Sequence, residues 1–347
     1  ENYMNIGFYR ASLIGDNMVA LYGIYAMKCL HPDATLIVYT NAYGINLYSQ
    51  FHFIDVLIDV GEMSEKTLIE DINSRNFALF ILTQSNRAAC HIFKQTNIKR
   101  IITFMTRWSF AKQRFDTVYI PRFSIAYVPY VLRLPQYKRI LKLVYHSINP
   151  PPPRCNLLHK PPKIDFSPIR LQSSPSHKAR IADFLHKHNL QNRPIVAINP
   201  FVYTTSHNLT LEGWRELITH LARTYPYIGF VIPTYKDNAK ICFDDMENVA
   251  IFNNDSDLLN IVALLESTSL FISPSTGLSH IADNLGTPMI WLCSRRDSFV
   301  WVGETMNPKL FVILKQRTSK MSEQAQKKYI ELAKQKFQVV IKDLNAR

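Results

Sequence analysis

The sequence predicts an α/β protein made of two halves that each repeat the order strand, helix, strand. Apolar strand-like runs alternate with amphipathic helical stretches, a pattern typical of parallel sheets covered by helices on both faces. The alternation stops at a proline-rich stretch, residues 149–154, and then begins again. With 347 residues, 47% of them hydrophobic, the chain is long enough for two ordinary domains with complete cores.

The first half, residues 1–150, is predicted from its alternating elements to be a Rossmann-like domain. Periodicity indicates helices at 17–30, 64–75 and 86–96, and one or two more within 127–146. Apolar runs between them predict parallel strands at 5–13, 35–40, 56–60, 78–83 and 100–104.

Prolines at 150–153, 161, 162, 168 and 175 predict a semi-rigid connector over residues 151–175. A second Rossmann-like domain is predicted over 176–320, and a lysine-rich amphipathic helix over 321–347. Its predicted helices are 211–225, 257–266 and one that opens at 275–277; its predicted strands are 195–199, 228–232, 249–252, 270–273 and 289–292.

The formal net charge is +13, which favours an anionic partner: a nucleic acid, an anionic membrane surface or a phosphorylated substrate. A basic but merely solvated surface is the alternative. Nucleic acid is disfavoured because the sequence has no zinc-finger spacing, no basic region joined to heptads and no RNA-reading aromatic motif. No GxGxxG follows a strand, which disfavours a dinucleotide-dependent oxidoreductase.

Neither a membrane-spanning helix nor a signal peptide is expected from the apolar runs. The five cysteines lack CxxC pairing, and we expect reduced core thiols of a cytosolic protein: Cys29, Cys90, Cys155, Cys242 and Cys293. No metal site is predicted, because the adjacent Asp244 and Asp245 precede an apolar strand as solvated turns commonly do.

The segment from Phe271 to Leu292 reads as strand, polar turn, short helix and strand. Small residues, Ser275 to Gly277, open the helix, and Gly286 and Pro288 end it. Backbone N–H groups at such a helix start point outward and the helix dipole favours a negative ligand there. The turn therefore predicts a seat for a diphosphate.

A second motif lies near the beginning of the chain, where a strand is followed by Gly15 and Asp16. Asp16 enters the next helix at the sheet edge where α/β proteins bind ligands. A carboxylate there can take the proton of an attacking hydroxyl as general base. The alternative is that Asp16 only caps the helix.

The segments RASLIGDNMVALYGIYAMKCLHPDA and STGLSHIADNLGTPMIWL resemble the two signatures of glycosyltransferase family 9, the lipopolysaccharide heptosyltransferases. FALFILTQSNRAACHIF and residues 195–214 show weaker agreement, so that the resemblance spans most of residues 4–300. It implies a GT-B fold, with two Rossmann-like domains facing each other across a central cleft. The first domain would bind the acceptor and the second the nucleotide sugar.

The resemblance also implies an activity: inverting, metal-independent transfer of a heptose from a nucleotide sugar, ADP-heptose first, to the anionic lipopolysaccharide inner core on lipid A. No cofactor besides that co-substrate is implied. Asp16 would be the catalytic base. Implied acceptor contacts are Arg10, Ser12, Arg87, Arg107, Arg114 and Arg122; implied donor contacts are Thr204, Thr205, His207, Ser275, Thr276, Gly277 and His280. For any one arginine a solvated position, and for His280 a packed core position, is the alternative.

The sequence departs from the family pattern at two donor positions. Family members commonly have aspartate at the position of Ser275 and lysine at that of His207. Two alternatives follow from these departures. The donor is another nucleotide sugar, or the protein is a non-catalytic nucleotide-sugar-binding protein. The nucleotide base has no clear acidic partner, the nearest polar residues being Lys236, Asp237 and Asn238. The expected location is the cytoplasm of a Gram-negative bacterium, peripheral to the inner membrane.

Overall fold

The computed structural model describes residues 4–110, 114–118, 120, 134–148, 162–243 and 245–345. The chain divides into two compact units, Glu1–Arg170 and Leu171–Arg347. The division lies inside the stretch 151–175 that the prolines mark as a connector.

The first unit contains one parallel six-stranded sheet. Its strands are β1 (Asn5–Tyr9), β2 (Thr35–Thr40), β3 (Val56–Asp59), β4 (Leu79–Leu82), β5 (Arg100–Phe104) and β6 (Phe115–Val118). Its helices are α1 (Ile14–Leu30), α2 (Ala42–Tyr48), α3 (Glu65–Ser74), α4 (Arg87–Phe93) and α5 (Gln136–Tyr145), followed by a 3₁₀ turn at Ser167–Ile169. The strand order is β3-β2-β1-β4-β5-β6, so the direction of winding reverses between β1 and β4. Ligands bind at such a reversal, outside the carboxyl ends of the strands.

Large aromatic side chains fill one face of this sheet. Phe77, Phe80 and Phe93 are fully buried and pack in tilted or edge-to-face pairs with centroids 5.1 Å apart. Gly7 on β1 makes room for them, because a Cβ there would lie 2.2 Å from the Phe80 ring. The opposite face is covered by α1 and α5, which pack on each other.

A polar cluster closes the β6 side of the same sheet. The Arg100 guanidinium donates to Asp116 at 2.6 and 2.9 Å, and His146 Nε2 lies 2.8 Å from the other Asp116 oxygen. Burial raises the pKa of Asp116, but the hydrogen bonds from His146 and Arg100 outweigh it and hold the pKa below its usual value.

The second unit has the same architecture. Its strands are β7 (Ile195–Ile198), β8 (Gly229–Thr234), β9 (Val249–Asn253), β10 (Leu270–Pro274), β11 (Met289–Ser294) and β12 (Phe311–Leu314). Its helices are α6 (Pro175–Lys187), α7 (Leu211–Thr224), α8 (Leu258–Glu266), α9 (Gly277–Leu285), α10 (Asp297–Val300) and α11 (Glu323–Asn345). The strand order is β12-β11-β10-β7-β8-β9. When β7 to β12 are matched in chain order with β1 to β6, this order equals that of the first sheet listed from its opposite edge. Its winding reverses between β7 and β10.

The core of the second unit lies between the sheet and the helices α7 and α11. Trp214 on α7, Phe230 on β8 and Phe337 on α11 are completely buried. Helix α9 ends at Gly286, whose φ of 70° lies in the left-handed region that glycine adopts without penalty. The Thr287 N–H then donates to the Ala282 carbonyl at 3.0 Å.

Several elements differ from the sequence-based expectation. Strand β1 ends at Tyr9 and not at residue 13, because the Ser12 carbonyl is turned toward the amides of Asn17 and Asn41. Helix α6 was not predicted; its first residue, Pro175, is the last residue of the predicted connector, and Ser174 caps the helix. Strands β6 and β12 and helices α2 and α10 were not predicted. Of the predicted helical stretch 127–146, residues 127–133 lie outside the described residues.

The expectation that the cysteines are core thiols is wrong for two of them. Cys90 and Cys293 are buried, whereas Cys29 and Cys242 are exposed, and Cys155 lies outside the described residues. In the part of the chain that the structure describes, no helix has the length and apolar character needed to cross a bilayer.

Candidate active site

Asp16 stands in the first turn of α1, directly after the carboxyl end of β1. The N-cap is Leu13, and the Asp16 carboxylate is engaged with side chains: Oδ1 accepts from the Arg10 guanidinium and Oδ2 accepts from the Ser12 hydroxyl at 2.7 Å. The Asp16 side chain is 23% exposed. The structure therefore presents an oriented carboxylate at the sheet edge, which is more than the cap of a helix.

Arg10 was expected to contact the acceptor, and the structure gives it a different place. Its side chain is 7% exposed, and its guanidinium donates to Asp16 and, at 3.5 Å, to the Thr83 hydroxyl at the end of β4. Thr83 in turn donates to the Tyr9 carbonyl at 2.7 Å. Arg10 thus orients the Asp16 carboxylate and, through its bond to Thr83, connects the ends of β1 and β4.

A buried polar network fixes the loop between β1 and α1. The fully buried Asn17 amide donates to the Ser12 carbonyl at 2.9 Å, and Asn41 donates to the same oxygen at 2.8 Å. The Tyr48 hydroxyl donates to the Asn17 carbonyl at 2.6 Å. Burial raises the pKa of Tyr48 well above its usual value, so this donor keeps its proton. Sequence reasoning missed Asn17, Asn41 and Tyr48. Asn17 follows Asp16 directly, whereas Asn41 and Tyr48 are far from the motif in sequence and only the fold brings them to it.

Two of the predicted acceptor arginines lie together at the carboxyl edge of the first sheet. Arg87 begins α4 after β4, and Arg107 lies in the turn after β5. Their guanidinium carbons are 5.7 Å and 4.5 Å from the centroid of the Trp108 ring, and both arginines are exposed. Stacking on an aromatic ring leaves the N–H edges of a guanidinium available for an anion.

Arg114 does not join this pair. Its guanidinium donates to the carbonyls of Thr96, at 3.2 Å, and Ile98, which precede β5 at the amino edge of the sheet. The structure thus places Arg114, one of the implied acceptor contacts, at the opposite edge from Arg87 and Arg107, because these carbonyls hold it there. Arg122 lies outside the described residues.

In the second unit, Ser275 to Gly277 form the turn between β10 and α9. Thr276 is the N-cap, and Ser279 closes the turn: its hydroxyl donates to the Thr276 carbonyl at 2.6 Å and accepts from the Thr276 N–H at 3.2 Å. Asn199, which follows β7 and is 4% exposed, donates to the Thr276 and Ser273 hydroxyls, both at 3.4 Å. Asn199 was missed, although a polar residue that ends a buried strand is a detectable sign.

The loop after β7 carries the second group of predicted donor contacts. Thr204 is exposed, whereas Thr205 and His207 are half-buried. The His207 N–H donates to the Thr205 hydroxyl at 3.4 Å, and His207 Nδ1 lies 3.1 Å from the Ser206 hydroxyl. Thr318 fixes the loop from outside, since its N–H donates to the Ser206 carbonyl at 2.8 Å. Loop and turn follow β7 and β10, the strands at which the winding reverses.

Asp297, the first residue of α10, was not predicted as a site residue. It is 8% exposed, and its N–H donates to the Ser294 hydroxyl at 3.0 Å. The polar side chains in its surroundings are those of Ser294, Arg296, His207 and Ser275. Burial raises the pKa of Asp297 above its usual value, and these four neighbours reduce that rise.

His280 occupies the packed position that the sequence left open as the alternative. It is 6% exposed, and its ring meets the Trp301 ring edge-on with centroids 5.7 Å apart. On the same helix, Asp283 is 4% exposed and accepts from the N–H and the hydroxyl of Thr305, both at 2.8 Å. Burial raises the pKa of Asp283 also. Within the described ranges, no three His, Cys, Asp or Glu side chains are grouped as metal ligands would be.

Residues 154–333, more than half of the chain, match the family model described as glycosyltransferase family 9 (heptosyltransferase). The chain belongs to glycosyltransferase family 9. It is accordingly a glycosyltransferase, and its two parallel six-stranded sheets are those of the GT-B fold. A comparison with curated protein sequences found no match.

Solved structures show the same fold. The ADP-heptose lps heptosyltransferase II of E. coli has a TM-score of 0.73 at 13% identity, over 98% of this chain and 99% of that one. A family 9 glycosyltransferase from Veillonella parvula has a TM-score of 0.72 at 12% identity, over 97% and 98%. The E. coli heptosyltransferase WaaC with ADP-2-deoxy-2-fluoro heptose has a TM-score of 0.63 at 16% identity, over 94% of this chain and 99% of that one. At these identities the likeness concerns the fold alone.

Proposed function

We propose that this family 9 glycosyltransferase moves a heptose from a nucleotide sugar to the inner core of lipopolysaccharide, with inversion at the anomeric carbon. The observation that carries the proposal is the carboxylate of Asp16, held by Arg10 and Ser12 at the carboxyl edge of the first sheet. Family membership supplies the reaction class, and this carboxylate supplies a group that can perform it.

In the proposed reaction Asp16 is the general base. An acceptor hydroxyl gives its proton to the carboxylate as its oxygen forms a bond to the anomeric carbon of the donor sugar. The bond between that carbon and the diphosphate oxygen breaks, and the nucleoside diphosphate leaves. Arg10 and Ser12 each hold one carboxylate oxygen, so the side chain is oriented before the acceptor arrives.

We assign the donor to the second unit. The start of α9 offers backbone N–H groups and a positive dipole end to the diphosphate, and His207 stands on the loop after the neighbouring strand. ADP-heptose is the first choice because the solved E. coli relatives are named for it or hold its fluorinated analogue. Ser275 and His207, which depart from the common family residues, make a different nucleotide sugar the second choice.

The acceptor is assigned to the first unit. Arg87 and Arg107, stacked on Trp108, are exposed donors suited to the phosphates and carboxylates of an inner core. The net charge of +13 supports peripheral contact with an anionic membrane, because each Lys or Arg near such a surface contributes about 1 kcal/mol. We place the protein at the cytoplasmic face of the inner membrane of a Gram-negative bacterium.

A thermal-shift series with ADP-heptose, other nucleotide sugars and free ADP, followed by a transfer assay, tests the proposal. The true donor raises the unfolding temperature by an amount that grows with the logarithm of its concentration relative to its Kd. We then expect transfer from that donor to a heptose-deficient lipopolysaccharide core, with inverted configuration in the product. Binding of a donor without transfer to any core acceptor would contradict the proposal and favour a non-catalytic nucleotide-sugar-binding protein.

A further inference from the structure

Two exposed arginines of the first unit share one indole ring. The guanidinium carbons of Arg87 and Arg107 lie 5.7 Å and 4.5 Å from the centroid of the Trp108 ring. In the described part of the chain the ion pairs of the first unit involve other arginines, and neither of these two has a carboxylate partner. Because like charges repel, two guanidinium groups on one ring favour an anion that contacts both.

Trp108 is fixed by the core, whereas the arginines lie on two separate loops. The Trp108 ring is half-buried and packs against the apolar cluster on one face of the first sheet. Arg87 begins α4 after β4, and Arg107 follows β5. A site made of both arginines therefore depends on how these two loops are held together.

The Thr106 side chain connects the two loops. Its hydroxyl donates at 2.9 Å to the Ser85 carbonyl, which lies two residues before Arg87. The same hydroxyl oxygen accepts from the Trp108 N–H at 3.3 Å. One hydroxyl thus links the backbone before α4 to the backbone of the turn after β5.

The turn that carries Thr106 is closed by Ser109, whose side chain is fully buried. Ser109 Oγ donates to the Phe104 carbonyl at 2.8 Å and accepts from the Thr106 N–H at 2.9 Å. The N–H groups of Ser109 and Phe110 both donate to the Thr106 carbonyl, at 3.2 and 2.9 Å. A threonine hydroxyl has a single proton, and Thr106 gives it to Ser85, so Thr106 acts through the residues that it holds and not as a donor to a ligand.

We propose that Thr106 is a positioning residue for the acceptor, which holds Arg87, Trp108 and Arg107 together as one site for a phosphate group. The two guanidinium groups make the contacts, and each donates in pairs. A phosphate monoester carries about −1.5 to −2 charges at neutral pH, which matches two guanidinium groups better than a single carboxylate does. This inference rests on the proposed function and deepens it.

The same pair of strands offers a matched control in Thr103. Its buried hydroxyl donates to the Leu82 carbonyl at 2.7 Å, with the same separation of 21 residues along the chain as between Thr106 and Ser85. We expect Thr106→Val to raise the KM for a phosphorylated, heptose-deficient core about 5-fold by loss of this hydrogen bond, with kcat and the donor KM within about twofold of the wild-type values. Thr103→Val loses an equivalent bond inside the sheet, and Thr106→Ser keeps the hydroxyl, so both should retain the wild-type acceptor KM.

Two further measurements distinguish positioning from a general structural role. With a core from which a phosphatase has removed the phosphates, the wild-type protein and Thr106→Val should have equal acceptor KM values, because the site then has no group to bind. The chain has four tryptophans, so the fluorescence of Trp108 is taken as the difference between each protein and its Trp108→Phe form. Titration of this signal with inorganic phosphate should give a midpoint about 5-fold higher in Thr106→Val and unchanged in Thr103→Val. Urea unfolding of the same samples measures stability.

The outcomes separate the inference from the proposed function. If the wild-type protein transfers the sugar but Thr106→Val keeps the wild-type acceptor KM and titration midpoint, the inference fails alone. It fails also if Thr103→Val raises the acceptor KM equally, or if the loss in Thr106→Val persists with the dephosphorylated core. If the wild-type protein transfers to no core acceptor, the proposed function fails, and the phosphate titration alone then decides whether Thr106 holds the site.

Discussion

The pairing of Arg10 with Asp16 predicts that stability and turnover respond differently to the same substitutions. Asp16→Asn keeps the shape of the side chain but leaves the Arg10 guanidinium, only 7% exposed, without its anionic partner. Arg10→Met keeps much of the length of Arg10 but leaves the Asp16 carboxylate without its cation. The double variant removes both charges and leaves neither uncompensated.

The magnitudes follow from burial. Removal of one partner from a fully buried ion pair costs about 3–5 kcal/mol of unfolding free energy. Because 23% of the Asp16 side chain is exposed, we expect a smaller loss for each single variant. We expect a loss of about 2–3 kcal/mol of unfolding free energy. In a unit of this size each kcal/mol lowers the unfolding temperature by roughly 2–4 °C, so the expected decrease is about 5–10 °C. The double variant should lose clearly less than the sum of the two single losses.

Turnover should show no such recovery. Asp16→Asn should lower the transfer rate roughly 10²- to 10⁴-fold with nearly unchanged donor affinity, because a carboxamide cannot take the acceptor proton. The double variant should be equally inactive although it is more stable than expected. Urea unfolding and a transfer assay at a temperature where every variant is folded measure the two quantities. Wild-type turnover in Asp16→Asn would show that Asp16 is not the base, and additive stability losses would show that the pair does not couple.

Further predictions concern the acceptor arginines, acid stability, a helix end and metal dependence. Arg107→Ala should raise the acceptor KM about 5- to 10-fold through a lost charge-assisted contact, whereas Arg114→Ala should affect mainly the unfolding temperature. Equal acceptor KM values in the two variants would contradict the assignment of Arg107 to the acceptor. The pKa of Asp116 is lowered on folding, so its contribution to stability is complete above the unfolded pKa of about 4 and is lost as pH falls through the lower folded pKa. Asp116→Asn should therefore flatten the acid limb of the unfolding free energy between about pH 4 and pH 2, and an unchanged slope in acid titrations would refute this. Gly286→Ala adds a methyl group at a residue with a φ of 70°, and this methyl group would lie in open space. The free energy of unfolding in urea should fall by about 1 kcal/mol, from backbone conformation alone. An unchanged free energy would argue against the left-handed helix end. Transfer activity should be unchanged in EDTA, because the N–H groups and dipole at the start of α9 can hold the charge of the leaving diphosphate; a loss that Mg²⁺ restores would contradict this role.

Much of the fold was accessible from the sequence because apolar periodicity is a strong indicator for parallel strands and their helices. The bounds of β2 and β5 agree with the predicted ones, since both are buried strands between clear breaks. Strand β6 was missed because its sequence, FDTV, has two polar residues; one of them, Asp116, belongs to the ion-pair cluster at the sheet edge. Helix α6 was missed because proline at the first turn of a helix looks, in sequence, like proline in a linker.

The candidate site was accessible only in part, for a different reason. Position after a strand predicts which edge a residue occupies, and this placed Asp16 and Ser275 at the edges where the structure has them. Position does not predict which side chains will pair. Arg10 turns inward to Asp16, and Arg114 turns to carbonyls at the opposite edge. Each of these contacts depends on tertiary packing.

The reversal of winding beside β1 and β7 has a consequence for how the protein can change over generations. The groups assigned to catalysis and to the leaving phosphate are anchored on central strands, whose neighbours on both sides are already occupied. The edge strands β3, β9 and β12 carry none of these groups. Substitutions in these strands, and insertions in the turns that follow them, can therefore occur without disturbing the reacting groups. Sequence change in these edge strands and in the turns after them is therefore compatible with an unchanged reaction.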